Sequence, residues 1–296
     1  MVYTQWLNQR GGIEADLTIT RLEPEVFLVV TSCATQIRDF NWLKRNISPD
    51  DRVMATDVTS AYSVLGIMGP KSPALLSKIS PAIFSNEAFP FATAQEIDLG
   101  YARVLACRIT YVGELGWELY IPSEFVQDVY DKIIDAGSEF DLVHSGYHAI
   151  DSLRLEKAYR HWGHDITDED TPLEAGLSFT VKWDKAGGFI GREALLRQKA
   201  EGIKKRLVQF KLKDPTIMLY HNEPIIRNGE YTGYISSGAY GHAIGSCLGM
   251  GYVRAGSLAN EDLLSSRYEI EVAGKRVEAI ASLMPFYDPK STRIRS

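Results

Sequence analysis

The stretch from Tyr111 to Pro122 places the strictest local limit on what this chain can form. It reads Tyr-Val-Gly-Glu-Leu-Gly-Trp-Glu-Leu-Tyr-Ile-Pro. The glycines Gly113 and Gly116 suit a tight turn, because glycine adopts positive φ at little cost. Residues 117–121 are aromatic and branched and alternate as in a β-strand. The sequence therefore predicts a turn that leads directly into a strand.

Two carboxylates, Glu114 and Glu118, lie on this predicted turn and strand. A carboxylate held on a strand among apolar neighbours can accept two parallel N–H hydrogen bonds from a flat, nitrogen-rich ring, and such charge-assisted pairs are strong. The alternative is an exposed turn glutamate followed by a salt-bridged strand glutamate, since most carboxylates are solvated surface groups. The stretch alone leaves both interpretations open.

Length, charge and cysteine content narrow the class of protein. The 296 residues suffice for a large core and two domains, and the net charge of -6 argues against a nucleic-acid-binding protein. No apolar run approaches the roughly 18 residues that span a membrane, and the first ten residues lack a secretory pattern. The 3 cysteines are widely spaced and form no disulfide framework or metal motif. We therefore expect a reducing, intracellular compartment, no membrane partner and no metal site.

Strands and helices alternate up to residue 202, which predicts an α+β domain with a mixed or antiparallel sheet. The predicted strands cover residues 13–22, 26–31, 53–57, 61–68, 102–110 and 117–121. The predicted helices cover residues 35–47, 73–79, a segment from a Ser123 cap to Gly137, 146–162 and 191–200.

The helix predicted at 146–162 has two distinct faces. Its apolar stripe is predicted to be buried and contains Ala149, Leu153, Leu155 and Ala158. Its other face is charged and contains Arg154, Glu156, Lys157 and Arg160.

From residue 203 onward the pattern changes to six short strands without intervening helices. They are predicted at 206–213, 224–227, 231–236, 247–253, 267–272 and 276–283. Asn228-Gly229 between two of them is a strong signal for a type I′ hairpin turn. The pattern predicts a small antiparallel β-barrel. We therefore expect an α+β domain at 1–202 and the barrel at 203–296.

Few other residues suggest chemistry by themselves. Asp16 follows Gly11-Gly12 on a predicted strand and can face a pocket, or it can equally cap the turn or face solvent. His161 and His164 stand three apart, but a zinc site needs further ligands at a recognisable spacing, and histidines at a helix end more often serve the helix dipole. Dinucleotide-binding and serine-nucleophile motifs are absent from the sequence.

Several motifs, taken in order, resemble one family over nearly the whole chain. They are Gly-Gly-Ile-Glu-Ala-Asp-Leu (11–17), Tyr-Val-Gly-Glu-Leu-Gly-Trp-Glu (111–118), Asp-Ser-Leu-Arg-Leu-Glu (151–156), Thr-Pro-Leu-Glu-Ala-Gly (171–176), Gly-Phe-Ile-Gly-Arg-Glu-Ala-Leu (188–195), Ile-Arg-Asn-Gly (226–229) and Ser-Ser-Gly-Ala-Tyr (236–240). This order resembles the aminomethyltransferases, the T-proteins of glycine cleavage. It is more similar still to the copy of that fold in sarcosine and dimethylglycine dehydrogenases.

The resemblance implies a cavity that binds tetrahydrofolate. It places Glu118 on the ring N–H and 2-amino groups of the pterin. It makes Asp16 the catalytic aspartate, which handles a proton while a folate nitrogen attacks an electrophilic one-carbon unit. Tyr3, Tyr111 and Tyr287 are candidates for cofactor contacts, although Tyr3 can equally be an ordinary hairpin aromatic.

The sequence departs from the family pattern in three places. Ile150 stands where the aminomethyltransferases have an arginine, and a folate contact is lost there. The segment 284–289 does not keep the terminal tyrosine pair in register. The family's first strands and the flavin domain of the dehydrogenases have no counterpart in the sequence, so we expect the N-terminal strands to be missing and FAD to be bound only by another domain or subunit.

Two functions follow from the resemblance. The first is a tetrahydrofolate-binding domain that accepts one carbon from an amine-derived donor, forms 5,10-methylenetetrahydrofolate and works beside a flavin-containing dehydrogenase. The second is a non-catalytic folate-binding or regulatory module of the same fold. The expected compartment is the cytoplasm, or the mitochondrial matrix for a eukaryotic protein.

Overall fold

A computed structural model describes residues 1–256 and 259–296. The chain forms two compact units, one comprising residues 1–2, 18–146 and 290–296 and the other residues 3–17 and 147–289. We name them the sheet unit and the barrel unit. The predicted domain limits, 1–202 and 203–296, stay a prediction. No helix in the described ranges is long and apolar enough to cross a membrane.

The first sheet has the order β1-β2-β3 and is built from the N-terminal residues. Its strands are β1 (Val2–Leu7), β2 (Ile13–Glu23) and β3 (Val26–Val30). The predicted hairpin of β2 and β3 is confirmed by antiparallel pairing from Thr18 with Val30 to Glu23 with Val26. The sequence analysis did not predict β1, because no turn signal or long apolar run marks it.

The sheet unit contains a four-stranded antiparallel sheet in the order β4-β7-β6-β5. Its strands are β4 (Tyr62–Met68), β5 (Ala94–Leu99), β6 (Ala102–Cys107) and β7 (Gly116–Pro122). The predicted turn and strand at 111–122 are confirmed. Gly113 has a φ of +74°, and a Cβ on Gly116 would lie 2.2 Å from the carbonyl oxygen of Ile67, so both positions require glycine.

Three helices accompany this sheet: α1 (Gln36–Arg45), α2 (Ser72–Ile79) and α3 (Val126–Gly137). The core gathers Trp117, Leu119 and Ile121 from one face of β7 with Val129 of α3. Because side chains alternate along a strand, the residues between these three point to the opposite face. That opposite face carries Glu118.

Two predictions for the sheet unit are wrong. Residues 53–57 form no strand, because they pair with no strand among residues 1–256 and 259–296, and Val53 and Met54 are exposed. Ser123 does not cap α3; its hydroxyl donates to the carbonyl of Ser60 at 2.8 Å, and Phe125 occupies the N-cap position.

The barrel unit is dominated by six antiparallel strands, which close in the order β10-β11-β8-β13-β12-β9. They are β8 (Lys205–Leu212), β9 (Pro224–Arg227), β10 (Glu230–Gly241), β11 (Ser246–Arg254), β12 (Tyr268–Val272) and β13 (Lys275–Ser282). Asn228 and Gly229 have φ values of +53° and +91°, as a type I′ turn requires. The predicted α+β fold with a C-terminal antiparallel barrel is confirmed.

The helices of the barrel unit are α4 (Tyr147–Glu156), α5 (Arg192–Glu201) and α6 (Asn260–Ser265). The helix predicted at 146–162 ends early, at Glu156. Ala158 takes a left-handed φ of +53°, and the N–H of Tyr159 donates to the carbonyl of Arg154 at 2.9 Å. This is the pattern of a helix C-terminus, formed here without glycine.

The prediction that α4 carries a charged outer face is wrong. Arg154, Glu156 and Lys157 are exposed by only 4%, 2% and 1%. Buried charges are tolerated because each is bonded. Nη1 of Arg154 donates to Oδ2 of Asp165 at 2.6 Å, and Nζ of Lys157 donates to the carbonyl of Asp288 at 2.6 Å. Oε1 of Glu156 accepts the N–H of Ala243 at 2.7 Å. The three residues that were predicted to face solvent thus hold α4 in place within the barrel unit.

The Arg154–Asp165 pair generates a stability prediction. Asp165 is fully buried and also accepts the N–H of His161 at 3.0 Å. Asp165→Ala removes the buried carboxylate partner of Arg154 and leaves the guanidinium paired with Asp151, which is 43% exposed. We expect it to lower the free energy of unfolding by about 3 kcal/mol in urea titrations. Asp184→Ala, which breaks an exposed pair with Lys182, is the control and should change it little. Equal losses in the two variants would contradict this account.

Candidate functional site

The turn between β1 and β2 fixes the position of Asp16. Gly11 has a φ of +83°, and a Cβ on Gly12 would lie 1.8 Å from the carbonyl oxygen of Asp168, so no side chain fits there. Ile13 and Leu17 are buried on one face of β2. Asp16, between them in the alternation, projects from the other face.

Asp16 lies in a cluster of polar side chains within the barrel unit. Nε2 of Gln5 donates to Oδ1 of Asp16 at 2.8 Å, and the Tyr3 hydroxyl also hydrogen-bonds this carboxylate. Gln5 is itself held, because Oγ1 of Thr180 lies 2.5 Å from its Oε1. The structure therefore brings Tyr3 and Asp16 together; their roles in binding and catalysis stay predictions.

The cluster leaves the Asp16 carboxylate poorly solvated. Burial raises the pKa of Asp16, while hydrogen bonds from Gln5 and Tyr3 and the positive charge of Arg160 act in the opposite direction. The pKa of Tyr3 is raised by burial first and by the Asp16 charge second, so the hydroxyl stays protonated and remains a donor. A carboxylate held by neutral donors can take up a proton or stabilise a nearby cation.

Arg160 is the functional candidate that the sequence analysis missed. Its Nε and Nη2 donate to the carbonyl of Ala175 at 3.1 and 2.8 Å, and its Nη1 donates to the carbonyl of Ala158 at 2.7 Å. Gly176 leaves room for it, since a Cβ there would lie 2.9 Å from Nη2. The Arg160 charge acts on Asp16. The sequence gives no signal for this position of Arg160, because it depends on the left-handed turn at Ala158.

The sheet unit holds Glu118 in a separate cluster. Glu118 lies opposite Cys107 of β6 and opposite Gly66 of β4. The Tyr120 hydroxyl donates to Oε2 of Glu118 at 2.9 Å. A Cβ on Gly66 would meet only Cε of Met68, at 3.6 Å, so β4 leaves space beside the carboxylate.

Neutral groups surround this second carboxylate as well. Burial raises the pKa of Glu118, and the hydrogen bond from Tyr120 lowers it. Burial, followed by the Glu118 charge, raises the pKa of Cys107 to about 12 and also raises that of Tyr120. Both neighbours therefore stay protonated at neutral pH.

The remaining predicted site residues lie elsewhere. Tyr111 is 37% exposed in the loop after β6, and the N–H of Tyr287 donates to the carbonyl of Glu156 at 3.2 Å in the barrel unit. Ile150 is half-buried on α4, and Glu114 is half-buried in the turn before β7. The cofactor contacts predicted for Tyr111 and Tyr287 stay predictions.

The two neighbouring histidines do not build a metal centre on their own. The rings of His161 and His164 lie 4.5 Å apart between centroids, and burial lowers the pKa of His161. Across the parts of the chain that the structure describes, no three His, Cys, Asp or Glu side chains form a group that could hold a metal ion.

Comparison with known families gives the identity of both regions. The GCVT N-terminal domain matches residues 1–185, and the glycine cleavage T-protein C-terminal barrel domain matches residues 205–288. The chain belongs to the glycine cleavage T-protein family. The predicted family resemblance is confirmed.

The similar proteins include enzymes and a regulatory subunit. A "4-methylaminobutanoate oxidase (formaldehyde-forming)" of Paenarthrobacter nicotinovorans is 42% identical over 99% of this chain and 35% of its own length. Human mitochondrial sarcosine dehydrogenase is 36% identical over 99% of the chain and 34% of its own length. A mouse mitochondrial "pyruvate dehydrogenase phosphatase regulatory subunit" is 36% identical over 96% of the chain and 34% of its own length. The chain thus spans about a third of the curated relatives that it matches.

A solved structure supports the fold independently. The glycine cleavage system aminomethyltransferase T of Bartonella henselae superposes with a TM-score of 0.82 at 26% identity. The similarity covers 97% of this chain and 76% of that chain. This T-protein family member therefore has the aminomethyltransferase fold.

The poorly solvated Asp16 generates a second stability prediction. A carboxyl whose pKa is raised by folding stabilises the folded state at low pH and loses that contribution as the pH rises through the folded pKa. Asp16→Asn should therefore unfold at a higher denaturant concentration than the wild type at pH 7.5. The difference should narrow as the pH falls toward 4. Guanidinium titrations of both proteins at pH 7.5 and at pH 4 measure this difference in stability. If the gain in stability of Asp16→Asn over wild type is smaller at pH 7.5 than at pH 4, burial of the Asp16 charge is not the cause.

Proposed function

We propose that this chain is a tetrahydrofolate-binding, one-carbon-accepting domain of the aminomethyltransferase type. The observation that carries the proposal is Asp16, a poorly solvated carboxylate hydrogen-bonded by Gln5 and Tyr3, in a chain of the T-protein family. A carboxylate in this state is suited to accept a proton from an attacking amine and to stabilise positive charge beside it.

The chemistry of Glu118 fits the pterin ring. The aminopyrimidine edge of a pterin presents a ring N–H beside a 2-amino group, and a carboxylate accepts such a pair in parallel. Glu118 is half-buried, points away from the apolar core and has open space toward Gly66. These features support Glu118 as the pterin-binding residue. The family resemblance alone suggests Tyr3, Tyr111 and Tyr287 as cofactor contacts, and their roles are proposals.

The transfer itself needs positioning and proton handling. Tetrahydrofolate supplies two nucleophilic N–H groups, which replace the amine nitrogen on a carbon at the formaldehyde level and give methylenetetrahydrofolate and the free amine. The two protons released by folate pass to the departing amine, so no oxidant is consumed. Asp16 carries a proton between them, with its own charge restored at the end.

The donor is proposed from the names of the relatives. An oxidase that forms formaldehyde and a sarcosine dehydrogenase both act on N-methyl amines by name, which suggests an iminium or formaldehyde-level carbon as the donor. We propose that a flavin-containing dehydrogenase domain or subunit supplies it. The compartment would be the cytoplasm, or the mitochondrial matrix in a eukaryote.

A second candidate function is a regulatory module. It is favoured by one relative, whose name is that of a regulatory subunit of a phosphatase and which matches 96% of this chain. A module of this kind would bind folate, or another ligand, without needing Asp16 as a proton carrier.

Ligand binding is tested through Glu118. Glu118→Gln presents an N–H donor where the pterin needs an acceptor, and we expect it to weaken tetrahydrofolate binding by about 1–3 kcal/mol in titration calorimetry. Glu114→Gln, in the turn before the same strand, is the matched control and should bind like the wild type. Equal affinities for Glu118→Gln and wild type would refute the pterin-binding role.

Catalysis is tested through Asp16. With an amine dehydrogenase supplying the one-carbon donor, Asp16→Asn should form methylenetetrahydrofolate about 10²–10⁴-fold more slowly in single-turnover assays, because the proton carrier is lost. Its affinity for tetrahydrofolate should stay within a few-fold of wild type. Exposed Asp184→Asn is the control. An unchanged rate for Asp16→Asn would instead support the regulatory function.

A further inference from the structure

Tyr120 occupies a distinctive position beside Glu118. It stands two residues further along β7, so its side chain lies on the same face of the sheet, away from the apolar core. It is only 5% exposed, and its hydroxyl reaches Oε2 of Glu118 at 2.9 Å. A buried tyrosine hydroxyl needs a partner, and here that partner is the carboxylate proposed to bind the ligand.

We propose that Tyr120 is the positioning residue of this site, holding the Glu118 carboxylate in the one orientation that receives the N–H groups of a pterin-type ring. The proposal deepens the proposed function and rests on it. A carboxylate offers roughly four acceptor positions, and Tyr120 occupies one, on Oε2. No other hydrogen bond to this carboxylate comes from the part of the chain that the structure describes, so the remaining positions are available to a ligand that approaches from the side of Gly66.

The neighbours of Glu118 explain why one hydroxyl matters. On the β6 side, Glu118 is paired with Cys107, whose thiol is 1% exposed and hydrogen-bonded to Thr20 of β2. On the β4 side it is paired with Gly66, which has no side chain. Burial and the Tyr120 hydroxyl are the influences on the pKa of Glu118, and within the described ranges no cation acts on it. The Tyr120 hydrogen bond is therefore the contact that favours the ionised form.

Pre-organisation gives the physical reason. A glutamate side chain that is free to rotate must lose that freedom when it pairs with a ring, whereas one already fixed by a hydrogen bond does not. Removing the hydroxyl also removes the influence that lowers the pKa of Glu118, so the carboxylate takes up a proton at a higher pH. A protonated Glu118 would offer fewer acceptor positions to the ligand.

The test is Tyr120→Phe, which keeps the ring and its packing. Calorimetric titration with tetrahydrofolate across a pH series should show about tenfold weaker binding at neutral pH. Binding that requires ionised Glu118 fails as the pH falls through its pKa, so the acid limb of the affinity profile should move to higher pH than in the wild type. Tyr101→Phe, which alters an 84% exposed hydroxyl in the same unit, is the control.

A second measurement separates this proposal from the proposed function. In the ligand-free protein, ¹³C NMR of labelled glutamate carboxyls, assigned with Glu118→Gln, should show a higher pKa for Glu118 in Tyr120→Phe. If Glu118→Gln weakens binding while Tyr120→Phe leaves both the affinity profile and this pKa unchanged, the positioning role is overturned and the proposed function stands. If Glu118→Gln has no effect on binding, the proposed function fails, and the positioning role that rests on it fails as well. An unchanged pKa of Glu118 in Tyr120→Phe overturns the positioning role by itself.

Discussion

Charged side chains removed from water are the constraint on which this structure depends. Burying an ion costs free energy unless bonds replace its hydration, so each buried charge requires fixed partners. Arg154 and Asp165 meet this requirement with each other, and Lys157 meets it with Asp288, whose Oδ2 lies 3.3 Å from Nζ. These fully bonded charges hold α4 and the loop after it within the barrel unit.

Asp16 and Glu118 meet the same requirement in a different way. Their hydrogen-bond partners are neutral: Gln5 and Tyr3 for the first, and Tyr120 for the second. A carboxylate with neutral donors is held in place without being neutralised, and its pKa is raised by burial. The contrast is functional, because a charge already paired with a cation stabilises the fold, whereas one paired with hydroxyls and amides can still bind or exchange a proton.

The sequence predicted those features that depend on local chemistry. The strand at 117–121 follows from alternation, the barrel hairpin from Asn228-Gly229, and the place of Asp16 on a strand from Gly11-Gly12.

Features that depend on distant contacts were missed. The charged residues of α4 resemble a solvated helix face, and only the folded chain shows Asp165 beside Arg154. Residues 53–57 resemble a strand by composition, but they pair with no strand in the described parts of the chain. Glu118 and Tyr120 stand two residues apart on one strand, and this i, i+2 spacing was the sequence signal that could have revealed their hydrogen bond.

Our central proposal is that the half-buried carboxylate of Glu118 accepts the N–H groups of a pterin ring. The most direct measurement is a ¹³C NMR titration of the Glu118 carboxyl, without and with tetrahydrofolate. We predict that this carboxyl has a higher pKa than the exposed glutamates in the free protein. Its pKa should fall when the ligand binds, since N–H donors favour the ionised form. A carboxyl that titrates with the exposed glutamates and does not respond to tetrahydrofolate would contradict it.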